Sequence, residues 1–178
     1  MVTAQDIVLW KTIGSWDVSI DTTLQNSCYA LASWTSGTVM RIGLDPVKDK
    51  FYFLVGNPKW NTLQPDTEYD IRIQFGLKPA WDVSVRAVQF APGELVYLHA
   101  QSDQNEFIEE FMRQSSMKIS SDGQELETLR LTGSAKAFRG VLTCQEEVSR
   151  PANTEPEQIK SAPADNAPLE SEVEERSG

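Results

Sequence analysis

Histidine and cysteine are scarce in this 178-residue chain, which has one of the first and two of the second. Any Ser–His–Asp or Cys–His catalysis would have to use His99, because no other histidine can act as the base. No nucleophile elbow is present, and neither cysteine has a catalytic signature around it. One histidine and two distant cysteines also fit no zinc spacing. We therefore predict a protein that is not an enzyme, with no catalytic residues, no metal and no cofactor.

Positive charge and long apolar runs are also lacking. Lys and Arg number 16 against 26 Asp and Glu, so the net charge is −10. Such a chain gains nothing from counterion release, and we expect no nucleic-acid partner. No run approaches the roughly 18 apolar residues of a membrane span, which argues against membrane insertion. The first residues lack the basic and apolar segments of a signal peptide, so the protein is either cytoplasmic or has lost its signal.

What the chain does have is alternation of apolar and polar residues over short segments, typical of half-buried strands. Trp16, Val18 and Ile20, for example, alternate with polar neighbours. Strands are predicted at 16–21, 28–34, 38–45, 69–76, 81–90 and 94–101, and two shorter ones flank the turn "SDG". A seventh segment, 51–57, is nearly all apolar at first, which suits a central strand. The pattern predicts a mainly β protein, an antiparallel β-sandwich of about nine strands. We expect a solvated sheet face for the polar positions, among them Asp17, Asp21, Asp70 and Asp82.

Two segments change to helical spacing. The first is predicted to begin with a capping box of Asp103 and Glu106, and its apolar stripe consists of Phe107, Ile108, Phe111 and Met112. The second is predicted to be capped by Ser134, with an apolar face of Ala137, Phe138, Val141 and Leu142. We expect these two short helices to accompany the strands in a single domain, residues 1–149.

The last 29 residues, 150–178, differ in composition from the rest. They contain no aromatic residue, are rich in Pro, Ala, Glu and Ser, and have seven acidic and three basic side chains. A segment with so little apolar surface cannot offset the entropy lost on ordering. We predict a disordered acidic tail.

One irregular segment, "GNPKWNTLQPDTE", contains a tryptophan where the strand pattern breaks. Because aromatic residues on loops often anchor partners, the candidates for partner binding are Asn57, Lys59, Trp60 and Asn61. The alternative is that Trp60 closes the bottom of the sandwich.

The two cysteines, Cys28 and Cys144, allow two interpretations. A disulfide would close a loop of about 115 residues and tie the last helix to an early strand, with a chain-entropy gain of about 4–5 kcal/mol. The alternative is two separate buried thiols in a cytoplasmic protein. We favour the bridge.

Several motifs resemble a known group of proteins. "GSWDVSID", "SCYALASW", "FYFLVGNPKW" and "LTGSAKAFRGVLTC" occur in an order similar to that of small alphaproteobacterial envelope domains, the invasion-associated locus B proteins. The last third is also similar to the end of periplasmic type VI secretion accessory proteins. The resemblance covers about 15–145 and implies a β-sandwich, a periplasmic or secreted location and a Cys28–Cys144 bridge. It implies no catalytic residues.

The function we predict is a non-enzymatic protein-binding or accessory module of the cell envelope, with a protein partner. This chain departs from those families in lacking a visible signal and in its acidic tail. One alternative is an intracellular or phage-encoded inhibitor or accessory protein whose tail imitates an anionic surface. The other is a hydrolase-like enzyme that uses His99 with a cysteine or a carboxylate.

Overall fold

The computed structural model describes residues 6–150, which form ten strands and two α-helices. The helices are α1 (Asn105–Arg113), between β8 and β9, and α2 (Ser134–Val148), after β10. The strands are β1 (Ile7–Ile13), β2 (Trp16–Asp21), β3 (Ser27–Ser33), β4 (Val39–Asp45), β5 (Lys50–Gly56), β6 (Glu68–Phe75), β7 (Trp81–Gln89), β8 (Val96–Ser102), β9 (Ser116–Ser121) and β10 (Gln124–Arg130). Neither helix is long and apolar enough to cross a membrane.

All ten strands belong to one antiparallel sheet, in the order β1-β2-β3-β4-β5-β8-β7-β6-β9-β10. This confirms the predicted class, a mainly β antiparallel fold with two helices, although the strands number ten. The additional strand is β1. Its register against β2 shifts between Leu9 and Lys11, and a bulge of this kind disrupts the alternation by which a strand is recognised in sequence.

The sheet curls around α1, which gives it the two facing portions of a sandwich. Phe107 of α1 packs against rings of β5, β6 and β7, with its ring centroid 5.0 Å from that of Phe75. Phe111, one helical turn later, contacts Phe75 and also Trp16 of β2. Rings from distant strands therefore meet on a single helix, and this aromatic cluster forms the centre of the core.

Side-chain hydrogen bonds join the two portions beyond α1. The indole nitrogen of Trp16 donates to the carbonyl oxygen of Thr132 at 3.0 Å, and that of Trp34 donates to the carbonyl oxygen of Arg130 at 3.0 Å. Ser36 and Thr38, in the turn between β3 and β4, donate to the carboxylate of Glu127 in β10. The first two bonds satisfy the indole nitrogens of two large aromatic side chains. All of these bonds connect early strands of the sheet, or the turn between two of them, to its last strand or to the residues just after it.

The predicted helix starts differ from the observed ones. The residue preceding α1 is Gln104, whose side chain makes no capping bond, so the capping box of Asp103 and Glu106 does not form. Ser134 is the first residue of α2, and its hydroxyl donates to the carbonyl oxygen of Phe111 at 2.7 Å instead of capping its own helix. Leu142, predicted on the apolar face of α2, is exposed.

The chain divides into one compact unit that ends at Gln145 and a second unit that begins at Glu146. Of the second unit, only 146–150 are described. The predicted disordered tail, 150–178, lies outside the described residues except for Arg150.

Candidate binding site on the outer sheet face

The sheet is buried on both faces at its centre. In β5, Phe51 and Phe53 contact the ring of Phe107, so the alternating residues Tyr52 and Leu54 belong to the other face, which we call the outer face. Tyr52 and Leu54 are nevertheless buried. Their burial shows that the outer face is not a flat solvated surface but a concave one.

An ion pair lies within this outer face. Arg41 Nη2 of β4 is 2.6 Å from Asp21 Oδ2 of β2, and the side chains are 13% and 1% exposed. The prediction of a solvated face is therefore wrong for Asp21. The reason is that Arg41 of β4 and the turn at Thr23 cover its carboxylate, whereas Asp17, Asp70 and Asp82 are exposed as predicted.

The carboxylate of Asp21 is fully paired. Oδ1 accepts hydrogen bonds from the backbone nitrogen of Thr23 at 2.9 Å and from its hydroxyl at 2.5 Å. Burial alone raises the pKa of Asp21, but the bonds from Thr23 and Arg41 and the charge of Arg41 outweigh it. The net result is a pKa below the ordinary value for aspartate, so Asp21 is charged at neutral pH.

Two tyrosines hold the Arg41 guanidinium in place. Its central carbon lies 3.7 Å from the ring centroid of Tyr29, a cation–π contact. Arg41 Nε donates to the hydroxyl oxygen of Tyr52 at 2.8 Å. Burial raises the pKa of both tyrosines. The guanidinium is therefore fixed on three sides by Tyr29, Tyr52 and Asp21.

Gly43 makes room for this arrangement. It is the cross-strand partner of both Tyr29 and Tyr52. A Cβ atom at this position would lie 2.6 Å from Tyr29 Cβ and 2.8 Å from the carbonyl oxygen of Cys28. Only glycine lets the two tyrosines approach each other across β4.

A cavity of about 570 Å³ opens on the outer face next to Arg41. Arg41, Tyr52, Leu54 and His99 line it, and Leu54 and His99 are cross-strand partners. Burial, together with the positive charges of Lys48 and Arg41, lowers the pKa of His99, so its imidazole is neutral at pH 7. The single histidine of the chain therefore lies in the wall of this cavity.

Of the two predicted kinds of partner for His99, carboxylates line the same cavity, whereas the described residues offer no free thiol. Cys28 and Cys144 are joined in a disulfide, so neither has a thiol to serve as nucleophile. Within residues 6–150, His99 donates no hydrogen bond to a carboxylate, and no three His, Cys, Asp or Glu side chains are grouped to hold a metal ion.

The disulfide links β3 to α2, with 6.1 Å between the two Cα atoms, and both cysteines are fully buried. Gln145, the residue after Cys144, adds to the link, because its Oε1 accepts from the backbone nitrogen of Cys28 at 2.8 Å. Of the two interpretations of the cysteine pair, the structure therefore confirms the disulfide.

The predicted partner-binding residues lie together in the turn that follows β5. Asn57 is buried, and its Nδ2 donates to Thr38 Oγ1 at 2.8 Å, while its Oδ1 accepts from the backbone nitrogen of Lys59 at 2.8 Å. Lys59 and Asn61 are exposed, and Trp60 is half-buried beside a hollow of about 380 Å³. Asn57 therefore holds the turn in place, and the other three residues face its surface.

The burial of the outer face could have been predicted from two features of the sequence that the alternation of strands does not reveal. "FYFLVG" is apolar on both alternating faces, and a strand of this kind needs cover on both sides. Arg41 in the middle of "VMRIGLD" is a second signal, because a charge within a central strand requires a buried partner.

The chain matches no known protein-family model, no curated protein and no solved structure. The resemblance to envelope proteins therefore stays a prediction.

Proposed function

We propose that this protein is a non-catalytic binding module of the bacterial cell envelope and that it contacts a protein partner through the turn around Trp60. The observation that supports this proposal is a half-buried tryptophan on a turn held by a buried asparagine. Partly exposed tryptophans are frequent binding hot spots. A rigid turn loses little conformational entropy when a partner binds, which favours affinity.

The polar surroundings of Trp60 fit the same role. Lys59 and Asn61, on either side, are exposed and form a polar rim. The hollow beside the indole is lined in part by Leu63 and Leu95, which would receive an apolar group of the partner. An apolar centre with a polar rim is the usual anatomy of a protein interface.

The envelope location is supported by the Cys28–Cys144 disulfide, because such bonds persist in oxidising compartments. The test is to lyse the producing cells in a denaturant that contains a thiol-alkylating reagent, because both cysteines are buried in the native fold, and to measure the mass of the protein. An unalkylated mass supports the location, whereas alkylation of both cysteines would contradict it.

The partner surface is tested by a photo-crosslinking residue at Asn61 of the full chain in its host, with Leu77 as the control position, since Leu77 is 99% exposed in another turn. We expect a species that crosslinks from position 61 and not from position 77. Trp60→Ala should then weaken the affinity of that species at least about tenfold, as for a hot-spot residue. Equal crosslinking from both positions, or unchanged affinity, would refute the proposal.

A further inference from the structure

The outer-face cavity has the size and lining of a small-molecule site. Its volume of about 570 Å³ lies within the range of about 300–1,000 Å³ that is common for ligand pockets. Apolar side chains from β5 and β7 and from the segments that follow β2 and β4 line most of it, among them Leu24, Leu54 and Val88. The interior therefore suits a molecule with an apolar body.

Exposed apolar side chains surround the opening. Leu24, Val47 and Phe90 come from three separate segments, line the cavity and are 48%, 65% and 47% exposed. Single exposed hydrophobic residues are common, but a convergence of three on one opening is a mark of a binding site. Phe90 also lines a second hollow of about 400 Å³, so the apolar surface continues beyond the first cavity.

The charges of the cavity cancel. Its charged side chains are Asp21, Arg41, Asp45 and Lys48, two of each sign. Arg41 is already bonded to Asp21 at 2.6 Å, and Asp45 accepts from the amide of Gln101 at 3.1 Å. The charge of Arg41 is already balanced by Asp21, and Lys48 is exposed, so water screens its charge. A carboxylate ligand would lie near the charged Asp21, so the lining favours a neutral ligand.

The cavity still offers hydrogen-bond donors. Arg41 uses Nη2 and Nε for Asp21 and Tyr52, and within residues 6–150 its Nη1 has no hydrogen-bond partner. The ring of His99 likewise makes no hydrogen bond to the described part of the chain, and its neutral form has one N–H group. A single acceptor oxygen on the ligand would pair with one of these donors.

From these observations we infer that the outer-face cavity binds a small neutral molecule with an apolar body and one hydrogen-bond acceptor, such as an ester or ketone of a medium-length alkyl chain. This site is separate from the Trp60 turn of the proposed function and does not depend on it.

The experiment uses the full chain and the neutral fluorescent probe N-phenyl-1-naphthylamine at pH 7. We expect saturable binding of one probe, and displacement by methyl decanoate at a concentration at least tenfold lower than by decanoate, which has the same chain but a negative charge. Absence of saturable binding, or stronger displacement by decanoate, would overturn the inference.

Variants locate the binding. The double variant Leu24→Ser/Phe90→Ser, at the opening, should weaken binding of the probe at least fivefold. The matched control Leu126→Ser/Leu142→Ser removes two exposed apolar side chains that do not line the cavity and should leave binding unchanged. Equal losses in both double variants would mean non-specific adsorption and would overturn the inference. Trp60→Ala should bind the probe normally, which separates this result from that of the partner experiment.

Discussion

Reducing the Cys28–Cys144 disulfide should lower the free energy of unfolding by about 3–5 kcal/mol. The bridge joins residues separated by 116 positions. For a loop of that length, the chain-entropy relation gives about 16 cal/mol/K, or about 4.8 kcal/mol at 25 °C. Measured values often fall somewhat below this relation. Because net stabilities of domains lie between about 5 and 15 kcal/mol, the loss is a large share of the total.

The measurement is equilibrium urea unfolding of the oxidised protein and of the same protein in dithiothreitol. The slope of the free energy against urea should also increase on reduction, because an uncrosslinked denatured chain exposes more surface. The double variant Cys28→Ala/Cys144→Ala is the control for the reductant, which should not change its midpoint. A loss below about 1 kcal/mol on reduction would show that the bridge adds little to a fold already closed by other contacts.

Two further predictions concern the outer face. Asp21→Asn should destabilise the protein by about 3 kcal/mol, because it leaves the guanidinium of Arg41 buried without its counter-charge. Since the folded pKa of Asp21 lies below its unfolded value of about 3.9, its stabilisation is present above that pH and is lost as the pH falls through the folded pKa. Acid unfolding followed by circular dichroism below pH 4 should therefore be less steep in the variant, and identical profiles would contradict the pairing. Gly43→Ala should cost about 1–3 kcal/mol in urea unfolding, since its Cβ would lie 2.6 Å from Tyr29 Cβ. A change below 0.5 kcal/mol would mean that β4 moves aside freely.

Short apolar patterns were sufficient to predict the strands from β2 to β10, most of them by alternation and β5 by its nearly continuous apolar run. These patterns failed for β1, where a bulge removes the alternation, and for Asp21, whose burial depends on its ion pair with Arg41, 20 residues away. A local pattern holds no information about contacts between such distant residues. The helices were predictable from spacing, whereas their first residues were not, because Ser134 bonds to α1 instead of to its own helix.

Cys28 and the indoles of Trp16 and Trp34 pair with the far end of the domain, across 96 to 116 residues of chain. Contacts between such distant residues slow folding, because a long loop must close before they form. They also set an order of events during synthesis. Strands β2 and β3 are made early but cannot complete their contacts until residue 144 has left the ribosome. The domain therefore reaches its native state only after nearly all of it has been synthesised, and until then the apolar face of β2 and β3 is open to chaperones.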